Sequence, residues 1–193
     1  GGLGSHMIDL VHWLIGDISE VGSTLDCFLK RTHPQKERFV PANDTATLSI
    51  MLASGAVGTI STSAVSLIAD KGQEQIVKIH GKDGTLECKY SGVGSDSAAG
   101  KVVTPFEIKG AKFGQQEFKT LAVPDETWGG ADRLNMFLGL FTEPYGGRLF
   151  IDAILEDRTV SPSLLDGLKA QLVIDAAIES DKTRRWVKVQ TIE

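Results

Sequence analysis

The chain has 193 residues, 41% hydrophobic and 23% charged, with a net charge of -5. That length buries an ordinary core without disulfide or metal staples, and the composition excludes a disordered or fibrous class. The negative balance leaves no field to collect phosphates, which excludes nucleic acid as a partner, and no apolar run approaches the roughly 20 residues of a membrane span. A single soluble domain over 1–193, located in the cytoplasm, is the expectation.

Met7, Leu10, Val11, Leu14 and Ile15 recur at helical spacing and Gly16 follows as a stop. This predicts a helix over 5–15 with Ser5 or Gly4 as its cap. Alternation then predicts strands over 20–32 and 44–53, and a return arm over 56–66 across a Ser54-Gly55 turn. Thr59, Ser61 and Ser63 fall on one face of that arm, which makes the face small and hydroxylated. A second hairpin pairs 73–80 with 85–90 across Lys82-Asp83-Gly84, where Asp-Gly is expected to supply a positive φ.

The stretch 91–100 reads as a loop. Gly92 and Gly94 lack the third glycine, the strand and the helix of a dinucleotide fingerprint. Strands over 102–108 and 116–121 follow, and then helices over 131–142 and 148–157, separated by Pro144 and Gly146-Gly147. Ser161-Pro162 is expected to open the last helix, with Leu165, Leu168, Leu172, Val173 and Ala176 as its buried stripe. A strand over 184–189 ends the pattern.

Cys27 and Cys88 fit no metal spacing and read as small buried hydrophobes. His12 points away from His6 on the predicted helix and reads as a surface or interface residue, while His33 sits in a loop and His80 ends a strand. None pairs with His6 at ligand spacing, so no metal is expected.

Three stretches carry a family likeness. Gly4-Ser5-His6 with Asp9, Trp13, Leu14 and Gly16 resembles the G-S-H-x-x-D-x-x-x-W-L-x-G helix of the Gfo/Idh/MocA oxidoreductases. Asn43-Asp44-Thr45-Ala46 through Gly55-Ala56-Val57-Gly58-Thr59 is similar to the family's D-D-x-A strand and its hairpin. Phe150 to Ala153, Pro162, Asp166-Gly167, Val173-Ile174 and Ser180 resemble its closing helices. The likeness implies an α+β fold, an open, mostly antiparallel β-sheet with helices packed on one face. This is a glyceraldehyde-3-phosphate dehydrogenase-like C-terminal domain, here lacking the N-terminal Rossmann domain.

The resemblance also implies a chemistry. NAD or NADP would be bound mainly by the missing N-terminal domain, and the substrate would be a sugar, polyol or related CH–OH compound. His6 would act as general acid/base, a task suited to a side chain that titrates near neutrality. Asp9, one turn on, would orient His6 or accept hydrogen bonds from substrate hydroxyls. Arg133 and Tyr145 would come from the substrate-side helix and loop. Gly2 stands where the family often has an aspartate. Family practice further implies a homodimer or tetramer through the sheet face, and this fragment alone is expected to be inactive. The alternative is a non-catalytic dimerisation or regulatory module of the same descent.

Overall fold

The computed structural model describes residues 2–32, 40–68, 73–92, 106–128 and 145–192. In chain order its elements are α1 (Gly2–Leu14), β1 (Ile18–Asp26), β2 (Thr45–Leu52), β3 (Val57–Ser63), β4 (Gln73–Gly81), β5 (Gly84–Gly92), β6 (Phe106–Lys112) and β7 (Lys119–Thr120). A single 3-10 turn (Asp125–Trp128), α2 (Tyr145–Leu155), α3 (Leu164–Thr183) and β8 (Val187–Lys188) complete them. The chain packs as two compact units, Gly1–Ser66 with Arg158–Glu193, and Leu67–Asp157. Each contains one four-stranded antiparallel sheet, ordered β3-β2-β1-β8 and β4-β5-β6-β7.

In the first unit β2 shows why the sheet is one-sided. Ala46, Leu48, Ile50 and Leu52 are buried while Thr47, Ser49 and Met51 are exposed, as a period of two requires. The buried row joins Val21, Ile60, Ile8 of α1 and Val173, Ala176 and Ala177 of α3 in one core. Each fully buried Ile or Val contributes roughly 1.5–3 kcal/mol, so Ile8 and Val173 are the pins of their helices.

Helix α1 already runs at Gly2, so Ser5 is an interior residue and not the expected cap. Its hydroxyl donates to the Gly2 carbonyl at 2.9 Å. The last helix also starts differently. Its cap is Ser163, not Ser161, because only Ser163 has a carboxylate three residues on to complete a capping box. Asp166 accepts from the Ser163 amide at 2.6 Å, and the Ser163 hydroxyl accepts from the Asp166 amide at 3.4 Å.

The face of α3 that meets the sheet is Ala170, Val173, Ala177 and Ser180, and the expected Leu165 and Leu168 stay about half exposed. Short side chains let the helix come close enough to β1 to bond its backbone. The Ser23 amide donates to the Ser180 hydroxyl at 3.0 Å and the Leu25 amide to Asp181 at 3.1 Å. The Ser23 hydroxyl in turn donates to the Ala177 carbonyl at 2.6 Å. These bonds satisfy the edge of β1 beyond its short pairing with β8, which is limited to Glu20 and Val21. The last helix ends at Arg184 in the left-handed region, φ 56°, which leaves a shorter final strand than expected.

In the second unit the hairpin turns on Lys82 and Asp83, with Gly81 opposite Gly84. Gly84 does not adopt the positive φ expected of it. Its role is steric: a Cβ there would collide with the Ala111 carbonyl oxygen and lie 2.9 Å from the Lys112 Cα. One face of this sheet carries the ion pairs Lys78–Glu87, Lys89–Glu74 and Lys109–Glu107 at 2.6, 3.0 and 2.8 Å. The other carries Val77, Ile79, Cys88, Ile108 and Phe106, whose ring meets Trp128 edge-on at 5.8 Å. Both cysteines are free and half-buried, and burial pushes the Cys88 thiol up.

Helix α2 begins at Tyr145 and includes Gly146 and Gly147, which the sequence reads as breakers. Arg148 clamps Asp152 one turn on, with both contacts at 2.9 Å, and helps the turn absorb the two glycines. The helix predicted over 131–142, His33 and positions 93–100 of the predicted loop lie outside the described residues.

Gly84→Ala is expected to lower the stability of the chain by about 1–3 kcal/mol in urea unfolding, because backbone cannot retreat from the new methyl. An unchanged midpoint would show that the hairpin relaxes freely.

Candidate functional site

Helix α1 is the element that places the candidate site. Gly4, Ile8 and Val11 turn toward the core, and Gly2, His6, Asp9 and Trp13 share the opposite face by helical spacing. His6 is exposed, and Asp9 is partly exposed. Neither forms a hydrogen bond or ion pair with a described residue, nor do they bond to each other. The ring and the carboxylate are therefore open to a ligand. His6 is the fifth residue of α1, a turn further along than the sequence suggests. A Cβ at Gly2 meets nothing within 4 Å, so packing does not dictate the glycine.

Tyr145 is the first residue of α2 in the second unit, and Arg133 lies outside the described residues. Among the described residues no set of His, Cys, Asp or Glu groups is arranged to hold a metal ion. No helix among them is long and apolar enough to cross a membrane.

Beneath α1 lies an apolar cavity of about 60 Å³, lined by Gly4, Ile8, Leu25, Ile60 and Ile174 with Asn43 at its polar margin. It has room for little more than a few methyl groups, and a sugar has no place there. Beside it Asp44 organises the end of the sheet. Its buried carboxylate accepts from the Leu29 and Phe28 amides at 3.0 Å, lies 3.7 Å from the Cys27 thiol and 3.5 Å from Arg31. Those amide bonds come first among the causes that hold the Asp44 carboxyl below its ordinary 3.8. They also pull residues 28 and 29 out of β1, which ends at Asp26 and not at the expected 32. Asp44 stands in the quoted strand motif, but nothing in the sequence marks it as a backbone anchor.

His12 was also misjudged by sequence alone. It is half-buried, with both ring nitrogens shielded from solvent and without a hydrogen-bond partner.

A one-sided antiparallel sheet with helices packed on its buried face defines an α+β domain. The chain belongs to the Gfo/Idh/MocA oxidoreductase family: the model of the family's C-terminal alpha/beta domain matches residues 1–189. It is 29% identical over 206 residues to an uncharacterized oxidoreductase of Synechocystis sp., covering 100% of this chain and 50% of the relative. It is 24% identical over 213 residues to levoglucosan dehydrogenase of Pseudarthrobacter phenanthrenivorans, covering 100% of this chain and 52% of that protein. The chain thus spans about half the length of these relatives.

Solved structures of levoglucosan dehydrogenase share the fold. The apo form superposes with a TM-score of 0.77 at 23% identity, over 100% of this chain and 51% of the other. Another levoglucosan dehydrogenase structure holds NADH and levoglucosan. The WlbA dehydrogenase of Bordetella pertussis, solved with NADH and UDP-GlcNAcA, matches at 17% identity and a TM-score of 0.60, over 98% of this chain and 47% of the other.

Two outcomes follow from this geometry. Gly2→Asp is expected to raise stability by up to about 1 kcal/mol, since it removes a helical glycine and places an anion at a helix start; a loss of stability would mean the site is closed to a side chain. Asp44 is depressed in the folded chain, so its contribution is present above pH 3.8 and is lost as pH falls through the lower folded value. Unfolding followed from pH 6 to pH 2 is expected to show a smaller acid loss in Asp44→Asn than in the parent chain, and equal losses would contradict the anchor.

Proposed function

We propose that this chain is the substrate-side half of a nicotinamide-dependent oxidoreductase acting on a sugar, polyol or related CH–OH group, with His6 as general acid/base. The observation that carries the reading is the outward face of α1: an imidazole and, one turn on, a carboxylate, neither bonded by a described residue, on a helix pinned by Ile8 at 2% exposure. The sugar ligands of levoglucosan dehydrogenase and WlbA support the substrate class.

A nicotinamide supplies the hydride acceptor. The His6 imidazole takes the proton of the substrate hydroxyl as its carbon loses hydride, and returns it in the reverse direction. Asp9 accepts a hydrogen bond from a neighbouring hydroxyl and so fixes which hydroxyl faces the ring.

The N-terminus of α3, a natural phosphate site, is already filled by the Asp166 carboxylate, which would repel a pyrophosphate. The reading therefore assigns NAD or NADP to the remainder of a protein of the relatives' length.

A second reading, a non-catalytic dimerisation module, is favoured by Gly2 and by the open face of the first sheet. Thr47 lies between Thr24 and Ser61, and Ser49 between Thr59 and Gly22, over which the Trp186 indole packs, which makes a small, hydroxylated surface edged by one aromatic ring. In either reading that face joins two copies. Light scattering is expected to report a dimer or tetramer that Thr47→Arg disrupts, and a monomeric parent chain at high micromolar concentration would count against it.

The two readings separate in the complete protein. His6→Ala is expected to lower kcat for oxidation of a sugar alcohol by about 10²–10⁴. An unchanged kcat removes His6 from catalysis, and no NAD(P)-dependent oxidation by the parent protein across a panel of sugars and polyols favours the module.

A further inference from the structure

The buried histidine of α1 is not used by the site above. His12 lies two turns beyond His6 on α1, the helix that packs on α3, and is half-buried. Both of its ring nitrogens are shielded and lack partners, an arrangement that costs free energy for any polar group and more for an ion. The charged groups whose fields reach the ring come from each element around it. They are Asp9 on α1 itself, Asp17 in the turn after α1, and Asp166 and Lys169 on α3. Strand β3, the other element against α1, carries no titratable side chain.

The carboxylates nearest in role are already engaged. Asp17 holds Lys169 with both oxygens, at 3.1 and 2.9 Å, and Asp166 closes the cap of α3 on Ser163 at 2.6 Å. A neutral His12 asks nothing of either. A protonated one adds a charge and a second N–H donor to shielded nitrogens that no described acceptor bonds, while Asp17 stays engaged with Lys169.

We propose that His12 is a proton-operated latch on α1: protonation puts a charge on a shielded ring that no described group bonds, and so loosens the C-terminal half of the helix. Burial, the largest influence on the ring, lowers its pKa from 6.5, and the Asp17 carboxylate opposes this only in part. The sign follows. The unfolded chain takes up the proton first, so the folded chain loses stability as pH falls from 6.5 through the lower folded value. The latch acts on the helix that carries His6 but does not depend on any catalytic role for His6.

The test is a pH titration of the four histidine rings of the chain by NMR, assigned by single His→Gln variants, with amide exchange of α1 compared at pH 7.5 and pH 5. The His12 ring is expected to titrate below 6.5, lower still in Asp17→Asn and higher in Lys169→Met. Protection of the amides of residues 11–14 is expected to fall at pH 5 in the parent chain and to hold in His12→Leu. A His12 midpoint at or above 6.5 overturns the latch. So does the same loss of protection in His12→Leu, or a midpoint indifferent to Asp17→Asn. The ring titration of the parent chain alone decides the matter if a variant does not fold.

Discussion

The hydroxyl of Ser180 closes the first unit. It is 1% exposed, accepts from the Ser23 amide at 3.0 Å and donates to the Arg185 carbonyl at 2.6 Å, so neither its proton nor its lone pair is left unpaired in the core. These two bonds tie the end of the chain to its first strand, 157 positions apart. Residues 158–193 and 1–66 form one unit because helix α3 is held to the edge of β1 there and by the apolar seam of Val21 and Val173.

The position of His6 rests on that closure. Helix α1 lies on α3 and on β3, with Ile8 sunk into the shared core. A helix fixed along one face has its opposite face fixed as well, and that face presents His6 and Asp9. The free energy that orients the imidazole comes from apolar burial on the far side of the same helix, not from hydrogen bonds to the ring. His12 is half-buried on the same helix, where a change of charge bears on the seating itself.

Much of this was legible in the sequence because it depends on period. The alternation of 45–52 gives both the strand and its buried face, and the spacing of Met7 and Val11 gives the helix, although Ile8, outside that expected stripe, is the residue it buries and Leu14 and Ile15 stay exposed. Family likeness supplied what period cannot, the antiparallel α+β class with helices on one face. The misses fall where long-range contact decides. Ser163 and not Ser161 caps α3 because the partner carboxylate is Asp166. Gly84 is needed for the approach of β6 and not for its own φ, and β1 stops early because Asp44 captures the amides that would have continued it. The leucines of α3 outrank its alanines in hydropathy, but the sheet selects the side that allows the closer approach.

The central claim is that the outward imidazole of α1 carries the proton of the reaction. It is tested most directly by the pH dependence of kcat/KM for oxidation of a sugar alcohol by the complete protein, with His6 and with His6→Gln. An acid limb that is present in the parent and absent in the variant is the expected result. The same limb in both would contradict the assignment.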